Sequence, residues 1–262
     1  MPRAVLCAVL VAATAAPLGG HSDENSLKLR MIDGHPIVDG VFVNGHGPYR
    51  FLVDTGTSVS HFDPKKARAI GLAATFRAEV VSATGSVVMP GAGDIHLALQ
   101  DLECAQQTLL FGGIDAVREL SDDVQGILGQ TFLSQFDYRI DVRGGRLQFG
   151  PSNGAGTRVP LLHVDGRPAI ATSLGTLLLD SGAHRLVLFN IATTSVTREL
   201  MTVTGSVQAG TAPRELRING RVFWRGDVVG VASTDLTIAG LLPVNLFKSV
   251  YINNSERYVV FD

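Results

Sequence analysis

Two short apolar segments of this chain each end in an Asp-x-Gly triplet: Phe51-Leu52-Val53-Asp54-Thr55-Gly56-Thr57 and Leu177-Leu178-Leu179-Asp180-Ser181-Gly182-Ala183. Short apolar runs that are bounded by turn residues predict buried strands, so both aspartates are expected where such strands end. A carboxylate in that position is costly unless it is hydrogen-bonded, paired or used. Because the two segments occur 126 residues apart in similar settings, they indicate a duplicated unit that brings two carboxylates together.

The elements that follow each triplet also occur twice. A Thr-Gly pair flanked by β-forming residues, at Thr84-Gly85 and at Thr204-Gly205, predicts a hairpin tip in each half. An apolar doublet comes next, in Gly126-Ile127-Leu128-Gly129 and in Gly240-Leu241-Leu242-Pro243. A hairpin that ends in Phe then closes each half, over residues 137–149 and 251–261. The order of elements therefore predicts two similar lobes.

The composition fits this interpretation. Of 262 residues, 45% are hydrophobic and only 18% are charged, which is typical of a globular protein with a substantial core. Strand signals separated by Gly, Asn-Gly and Asp-Gly turns dominate from residue 29 onward, with a short helix opened by Asp63-Pro64. We therefore predict an all-β chain with a few short helices, lobes at 31–150 and 157–262, and a linker at 151–156.

The N-terminus has the features of an export signal. Arg3 precedes an apolar stretch over residues 4–13, and Ala13-Thr14-Ala15 is a small-residue cleavage pattern. We predict a signal peptide at 1–20 and a periplasmic or secreted protein, with an uncleaved anchor as the alternative. After removal of the signal, Cys104 would be the single cysteine, so no intrachain disulfide is expected. A net charge of -2 gives no reason to expect nucleic acid or a membrane surface as partner.

The chain resembles the retropepsin-like and pepsin-like aspartic proteases. The resemblance rests on Asp54-Thr55-Gly56-Thr57, on Ile127-Leu128-Gly129, and on the second copy Asp180-Ser181-Gly182. It implies two β-barrel lobes related by a pseudo-two-fold axis, with Asp54 and Asp180 as catalytic residues at the base of a cleft. Two carboxylates held at hydrogen-bonding distance share a proton, so one acts as a base on water and the other as an acid toward the amide carbonyl.

The resemblance also implies roles for the neighbouring residues. Thr55 and Ser181 would brace the two loops against each other, Gly56 and Gly182 would let backbone amides approach the carboxylates, and Thr57 would bind the outer oxygen of Asp54. The substrate-covering flap would be the hairpin around three residues, namely Ala83, Thr84 and Gly85.

The implied function is endopeptidase activity on extended polypeptides. No cofactor and no metal are implied, and a monomer is expected because one chain carries both carboxylates. Two departures concern the second lobe: Ala183 lacks a hydroxyl, and Pro243 stands where a glycine is expected. They leave open an alternative, a catalytically inactive peptide-binding or assembly module of the cell envelope with the same fold.

Overall fold

A computed structural model describes residues 26–82, 85–152, 155–202, 205–233 and 237–262. The predicted signal peptide and the flap-tip residues Ala83 and Thr84 lie outside the described residues. Strands make up 59% of the structure and helices 9%, which confirms the predicted all-β class. The predicted lobe and linker boundaries stay predictions.

Each half of the chain supplies a similar series of strands. The strands of the first half are β1 (Ser26–Ile32), β2 (His35–Val43), β3 (His46–Val53), β4 (Ser60–Phe62), β5 (Phe76–Ser82), β6 (Gly85–Leu99), β7 (Leu102–Phe111), β8 (Gly126–Leu128), β9 (Tyr138–Asp141) and β10 (Arg146–Phe149). The strands of the second half are β11 (Thr157–Pro160), β12 (Leu162–Val164), β13 (Arg167–Thr172), β14 (Gly175–Asp180), β15 (Val187–Phe189), β16 (Ser195–Thr202), β17 (Gly205–Ile218), β18 (Arg221–Val231), β19 (Gly240–Pro243), β20 (Ser249–Asn253) and β21 (Tyr258–Phe261).

The helices are short. They are α1 (Pro64–Ala69), α2 (Asp115–Leu120) and α3 (Gln130–Leu133), and a 3₁₀ turn covers Val244–Leu246. The helix predicted at Asp63-Pro64 is confirmed as α1, because the Asp63 side chain accepts hydrogen bonds from the backbone of Lys65 and Lys66 and Pro64 is its first residue. The sequence also predicts a short helix over residues 131–136, to which α3 corresponds in part, whereas it does not predict α2.

Six adjacent strands form a platform shared by both halves, in the order β11-β21-β20-β9-β10-β1. β9 pairs with β20, so the two predicted terminal hairpins meet at the centre of this platform. β1 leaves it by changing partner, because Ser26–Lys28 pair with β10 whereas Leu29–Ile32 pair with β2. Through β1 the platform is continuous with the first-lobe strands in a 13-stranded sheet.

The first lobe closes into a barrel. Its strands follow the order β2-β3-β8-β4-β7-β6-β5, and β6 also pairs with β2. The second lobe has the order β12-β13-β14-β19-β15-β18-β17-β16. There β13 approaches β17 through a backbone hydrogen bond of 3.0 Å from Ser173 to Arg217.

The strand pairings establish the repeat element by element. The parallel pair β3–β8 matches β14–β19, the three-stranded set β5-β6-β7 matches β16-β17-β18, and β9-β10 matches β20-β21. In the second half, β11 and β12 together replace β1, since one pairs with the platform and the other with the lobe. The register equates Asp54 with Asp180 and Gly129 with Pro243.

Candidate active site

Buried apolar strands deliver both aspartates to the same place. Val53 and Leu179, which precede them, are 0% exposed, and each strand is held by a parallel ladder to β8 or β19. Asp54 itself is 8% exposed and Asp180 is partly buried. Because the side-chain direction alternates along a strand, the last residue of each ladder fixes which way its carboxylate leaves the core.

Four buried hydrogen bonds lock the two Asp loops together. The Thr55 hydroxyl donates to the Leu179 carbonyl at 2.7 Å and accepts from the Ser181 backbone N–H at 3.0 Å. The Ser181 hydroxyl donates to the Val53 carbonyl at 2.6 Å and accepts from the Thr55 N–H at 2.9 Å. Both hydroxyl residues are 0% exposed, so each lobe satisfies buried backbone groups of the other.

The glycine of each triplet lies against the carboxylate of the other triplet. A Cβ placed on Gly56 would lie 2.5 Å from Cγ of Asp180, and one placed on Gly182 would lie 2.6 Å from Oδ2 of Asp54. No side chain fits at either position. This reciprocal contact gives the pair its approximate two-fold symmetry.

The two carboxylates are held differently. The Gly56 N–H donates to Asp54 Oδ1 at 2.8 Å, and the Gly182 N–H donates to Asp180 Oδ1 at 2.9 Å. Asp54 also accepts a hydrogen bond of 2.7 Å on Oδ2 from the Thr57 hydroxyl. Ala183 stands at the equivalent position beside Asp180 and has no hydroxyl to offer.

The pKa of Asp180 is raised well above the usual range of an aspartate. Burial of the carboxyl is the main cause, followed by the negative charge of Asp54 and by a hydrogen bond with the Asp54 carboxyl. The backbone N–H groups of Gly182 and Ala183 act in the opposite direction. Two carboxyl groups that share a hydrogen bond in a buried place cannot both ionise readily, so the pair holds a proton and Asp180 is the side that favours it.

Polar residues on β4 and α3 support the first Asp loop from below. The Ser60 hydroxyl accepts the Gly129 N–H at 3.0 Å, and the Gln130 side chain donates to the Thr55 carbonyl at 2.9 Å. The Gln130 and Thr131 N–H groups donate to backbone carbonyls of the loop over residues 57–58. The bonds from Gln130 and Thr131 satisfy carbonyls of the turn that carries Asp54, and the Ser60 bond satisfies the N–H of Gly129 beside it.

The second lobe replaces this polar support with apolar packing. Pro243 has no N–H, and the position that matches Ser60 is Leu186, which is 2% exposed. Val244, 0% exposed, replaces Gln130. Pro243 nonetheless continues the ladder opposite Asp180 and is buried. Donor and acceptor have been lost together, so Pro243 leaves no unpaired hydroxyl behind it.

His61 is buried beneath the first loop and is 2% exposed. Its Nδ1 lies 2.9 Å from the Gly112 carbonyl, so Nδ1 carries the proton of this hydrogen bond. Burial lowers the pKa of His61, while the Gly112 carbonyl and the charge of Asp54 oppose that shift. The contact with Gly112 gives His61 a place in the structure of the lobe.

The structure brings together seven residues that the sequence singles out: Asp54, Thr55, Gly56, Thr57, Asp180, Ser181 and Gly182. Their catalytic and supporting roles stay predictions. Gly85 opens β6 and pairs with Ser82 across the predicted flap hairpin. The hairpin of β16 and β17 occupies the equivalent place in the second lobe.

Ser60 and Gln130 were missed by sequence reasoning. A second signal was also missed, because the hairpin turn Asp33-Gly34-His35-Pro36 is repeated as Asp165-Gly166-Arg167-Pro168 before the second strand. Asp33 and Asp165 both have positive φ, at 47° and 50°. Matching these turns would have aligned the two halves from their first strands.

The described part of the chain has neither a helix that could cross a membrane nor a cluster of metal ligands. None of its helices has the length and apolar character needed to cross a membrane. Within the same residues, no group of three or more His, Cys, Asp or Glu side chains could hold a metal ion.

The fold is all-β, with two lobes that bring a pair of carboxylates together. Residues 40–132 match the family described as aspartyl protease, a segment that contains Asp54, the flap hairpin and β8. This match confirms the resemblance to aspartic proteases for the first lobe, and it supports peptidase activity in general.

A retropepsin-like aspartic protease from Rickettsia conorii is among the solved structures that are similar to part of the chain. The two are 22% identical, and the match covers 47% of this chain and 87% of the other with a TM-score of 0.36. No curated protein matches the sequence.

Proposed function

We propose that this protein is an aspartic endopeptidase that hydrolyses extended polypeptides with a water molecule activated between Asp54 and Asp180. The observation that carries this proposal is the reciprocal arrangement of the two Asp loops. Each glycine touches the opposite carboxylate, and each hydroxyl satisfies the opposite strand. A pair of unrelated turn aspartates would not be built into such a lock.

We infer which aspartate acts as the base and which as the acid from the different surroundings of the two carboxylates. Asp54, with two hydrogen-bond donors on its carboxylate, takes a proton from water as that water attacks the carbonyl carbon of the substrate. Asp180, whose pKa is raised, gives its proton to the carbonyl oxygen. The tetrahedral diol then collapses: Asp54 gives its proton to the amide nitrogen, Asp180 takes a proton back from a diol hydroxyl, the C–N bond breaks, and a carboxylic acid and an amine leave.

The substrate is proposed to bind as an extended strand. Such a peptide would pair its backbone with the cleft edges and with the flap hairpin β5–β6, whose strands alternate between exposed and covered residues. The matching hairpin of the second lobe provides a second cover. Hairpin closure would limit access of bulk water during the reaction.

The direct test is cleavage of an unfolded polypeptide by the purified protein across about pH 3 to 8, the range in which carboxylate pairs titrate. We expect activity at mildly acidic pH, and a loss of at least about 10²-fold in Asp54→Asn and in Asp180→Asn, the lower end of what general acid–base groups contribute. The matched control is Asp165→Asn, an exposed hairpin aspartate of the second lobe, which should keep full activity.

The inactive binding module makes the opposite prediction. Wild type and Asp54→Asn would then show the same absence of cleavage at every pH while still binding an unfolded peptide. The intact lock between the loops and the shared proton favour the enzyme.

The remaining expectations are proposals of the same kind. The protein is proposed to be exported to the periplasm or beyond the cell by the segment 1–20, and to act as a monomer without cofactor. Analytical ultracentrifugation together with the dependence of specific activity on enzyme concentration tests the monomer, because a dimeric enzyme would lose specific activity on dilution.

A further inference from the structure

The hairpin turn between β1 and β2 reaches from the first lobe to the second. Asp33 and Gly34 form this turn with φ values of 47° and 83°. A Cβ placed on Gly34 would lie 2.2 Å from Nδ2 of Asn245, so glycine lets the turn sit directly on that side chain. Asn245 belongs to the 3₁₀ turn that follows β19 in the second lobe.

Asn245 connects this turn to the second Asp loop. Its Nδ2 donates a hydrogen bond of 3.1 Å to the backbone carbonyl of His184. His184 follows Gly182 by two residues, on the same loop that carries Asp180. A continuous set of contacts therefore leads from the first-lobe turn, through Asn245, to the loop of the proton-holding aspartate.

A pair of imidazoles lies beside these contacts. His35 is 6% exposed, and its Nδ1 donates to the Ile32 carbonyl at 3.1 Å. Its ring centroid is 5.5 Å from that of His184, with the planes tilted by 48°. Partial burial lowers the pKa of His184, the positive charges of His35 and Arg185 lower it further, and Asp33 opposes them.

We propose that the first-lobe turn positions the second Asp loop through Asn245, and that the His35–His184 pair releases this hold when both imidazoles are protonated. The proposal rests on the proposed function, because it names residues that position Asp180 for that chemistry. In this proposal His184 and Asn245 are positioning residues. The enzyme loses activity below a certain pH because this contact is released, separately from the titration of its carboxylates.

The charges around the pair support this assignment. Protonation of both rings places two positive charges on tilted imidazoles whose centroids are 5.5 Å apart across the lobe boundary, with Arg185 adding a third. Asp33 is the opposing charge, and its exposure to solvent weakens its effect. Acidification is therefore expected to loosen the contact that joins the turn to the Asp180 loop.

The first test is the pH dependence of kcat/KM in His35→Asn and His184→Gln. Asparagine at position 35 can keep a donor for the Ile32 carbonyl while it removes the imidazole that lies against His184. We expect the acidic limb of the profile to move toward lower pH, with about threefold more relative activity half a unit below the wild-type midpoint. Since either change removes the pair, the double variant should give no further shift.

The control is His46→Gln, an exposed histidine at the start of β3, which should keep the wild-type profile. An unchanged acidic limb in both test variants would overturn the proposal, and so would shifts that simply add in the double variant.

Asn245→Ala should lower kcat with little change in KM at every pH, because the loop loses its hold on the first lobe. An unchanged kcat would count equally against the proposal.

A second readout does not depend on catalysis. In the Asp54→Asn background, His184→Gln should make the free energy of unfolding fall less steeply as the pH drops below about 6.5. The sign follows from the lowered pKa of His184, since the unfolded chain then binds more protons than the folded one. If the wild type does not cleave polypeptide but this stability effect is present, the proposed function fails and the interlobe contact stands. If the wild type cleaves polypeptide but the stability effect is absent, only the proposal about the contact fails.

Discussion

Asp54 and Asp180 occupy equivalent positions but face different surroundings. Asp54 accepts from both Gly56 and Thr57, whereas Asp180 keeps the glycine contact and loses the hydroxyl. The duplicated fold therefore holds an unequal pair. The inequality tells the two carboxylates apart before any substrate binds, because hydrogen bonds to a carboxylate favour its ionised form.

The raised pKa of Asp180 predicts a stability effect. An acid whose folded pKa lies above its unfolded value stabilises the fold at low pH, and this contribution is lost as the pH rises through the folded pKa. At neutral pH, Asp180→Asn should therefore raise the melting temperature by a few degrees, since about 1 kcal/mol shifts Tm by roughly 2 °C or more in a chain of this size. Calorimetry at pH 7 measures the change. An equal or lower Tm than in Asp165→Asn would contradict it.

The Thr57 hydroxyl predicts a loss of activity when it is removed. A hydrogen bond to a charged group contributes about 1.5–3 kcal/mol, and about 1.4 kcal/mol corresponds to a factor of ten in rate. Thr57→Ala should therefore lower kcat/KM by about tenfold or more, because the Asp54 carboxylate loses a donor that holds it in place, while Thr57→Ser should restore it. The measurement is kcat/KM of both variants at the pH of maximal activity, and an unchanged value in Thr57→Ala would show that the hydroxyl does not support Asp54.

At the scale of elements, the two lobes differ in how they treat the buried backbone group behind each Asp loop. The first lobe pairs the Gly129 N–H with the Ser60 hydroxyl, and the second removes both groups by using Pro243 and Leu186. A buried donor without an acceptor costs more than the loss of a well-matched pair. The joint replacement explains how a proline fits behind Asp180.

We therefore expect the Ser60 hydroxyl to stabilise the folded protein. Ser60→Ala leaves the Gly129 N–H unpaired in the interior and should lower the free energy of unfolding by about 1–3 kcal/mol. Urea unfolding measures the loss. Ser134→Ala is the matched control, because the Ser134 hydroxyl also bonds a backbone group, the Gln130 carbonyl, but from an exposed residue, and the change should alter stability by less than about 0.5 kcal/mol.

The fold class and the dyad residues could be predicted because short-range chemistry encodes them. Asp-Thr-Gly after an apolar strand has a recognisable spacing, and Asp63-Pro64 is a local cap signal that α1 confirms. Ser60 and Gln130 could not be found in this way. Their partners, Gly129 and Thr55, are 69 and 75 residues distant in sequence, so only the folded chain shows why buried strands carry these polar groups.

The platform could not be predicted either. Each terminal hairpin was visible by itself, but the pairing of β9 with β20 joins residues from opposite halves of the chain. Alternation of apolar residues predicts a strand and one buried face, and it does not name the neighbouring strand.

At the scale of the whole molecule, the two halves are joined both at the platform and at the Asp loops. Ser181→Ala removes the hydroxyl that satisfies the Thr55 N–H and the Val53 carbonyl across the lobe boundary. The loss should be about 2–4 kcal/mol, because two buried backbone groups lose their partner. Ser181→Thr keeps the hydroxyl and should retain most of the stability. Equilibrium unfolding compares the two, and equal stability of Ser181→Ala and wild type would show that the lock does not join the lobes.

The most direct test of the central claim follows the oxygen of the attacking water. Cleavage of a polypeptide in ¹⁸O-labelled water, under single-turnover conditions, is analysed by mass spectrometry of the new C-terminal carboxylate. The account predicts one ¹⁸O atom in the product, no label in the enzyme, and a cleavage rate at least about 10²-fold lower in Asp54→Asn and in Asp180→Asn. Unlabelled oxygen in the first product, or cleavage near the wild-type rate in either variant, would contradict it.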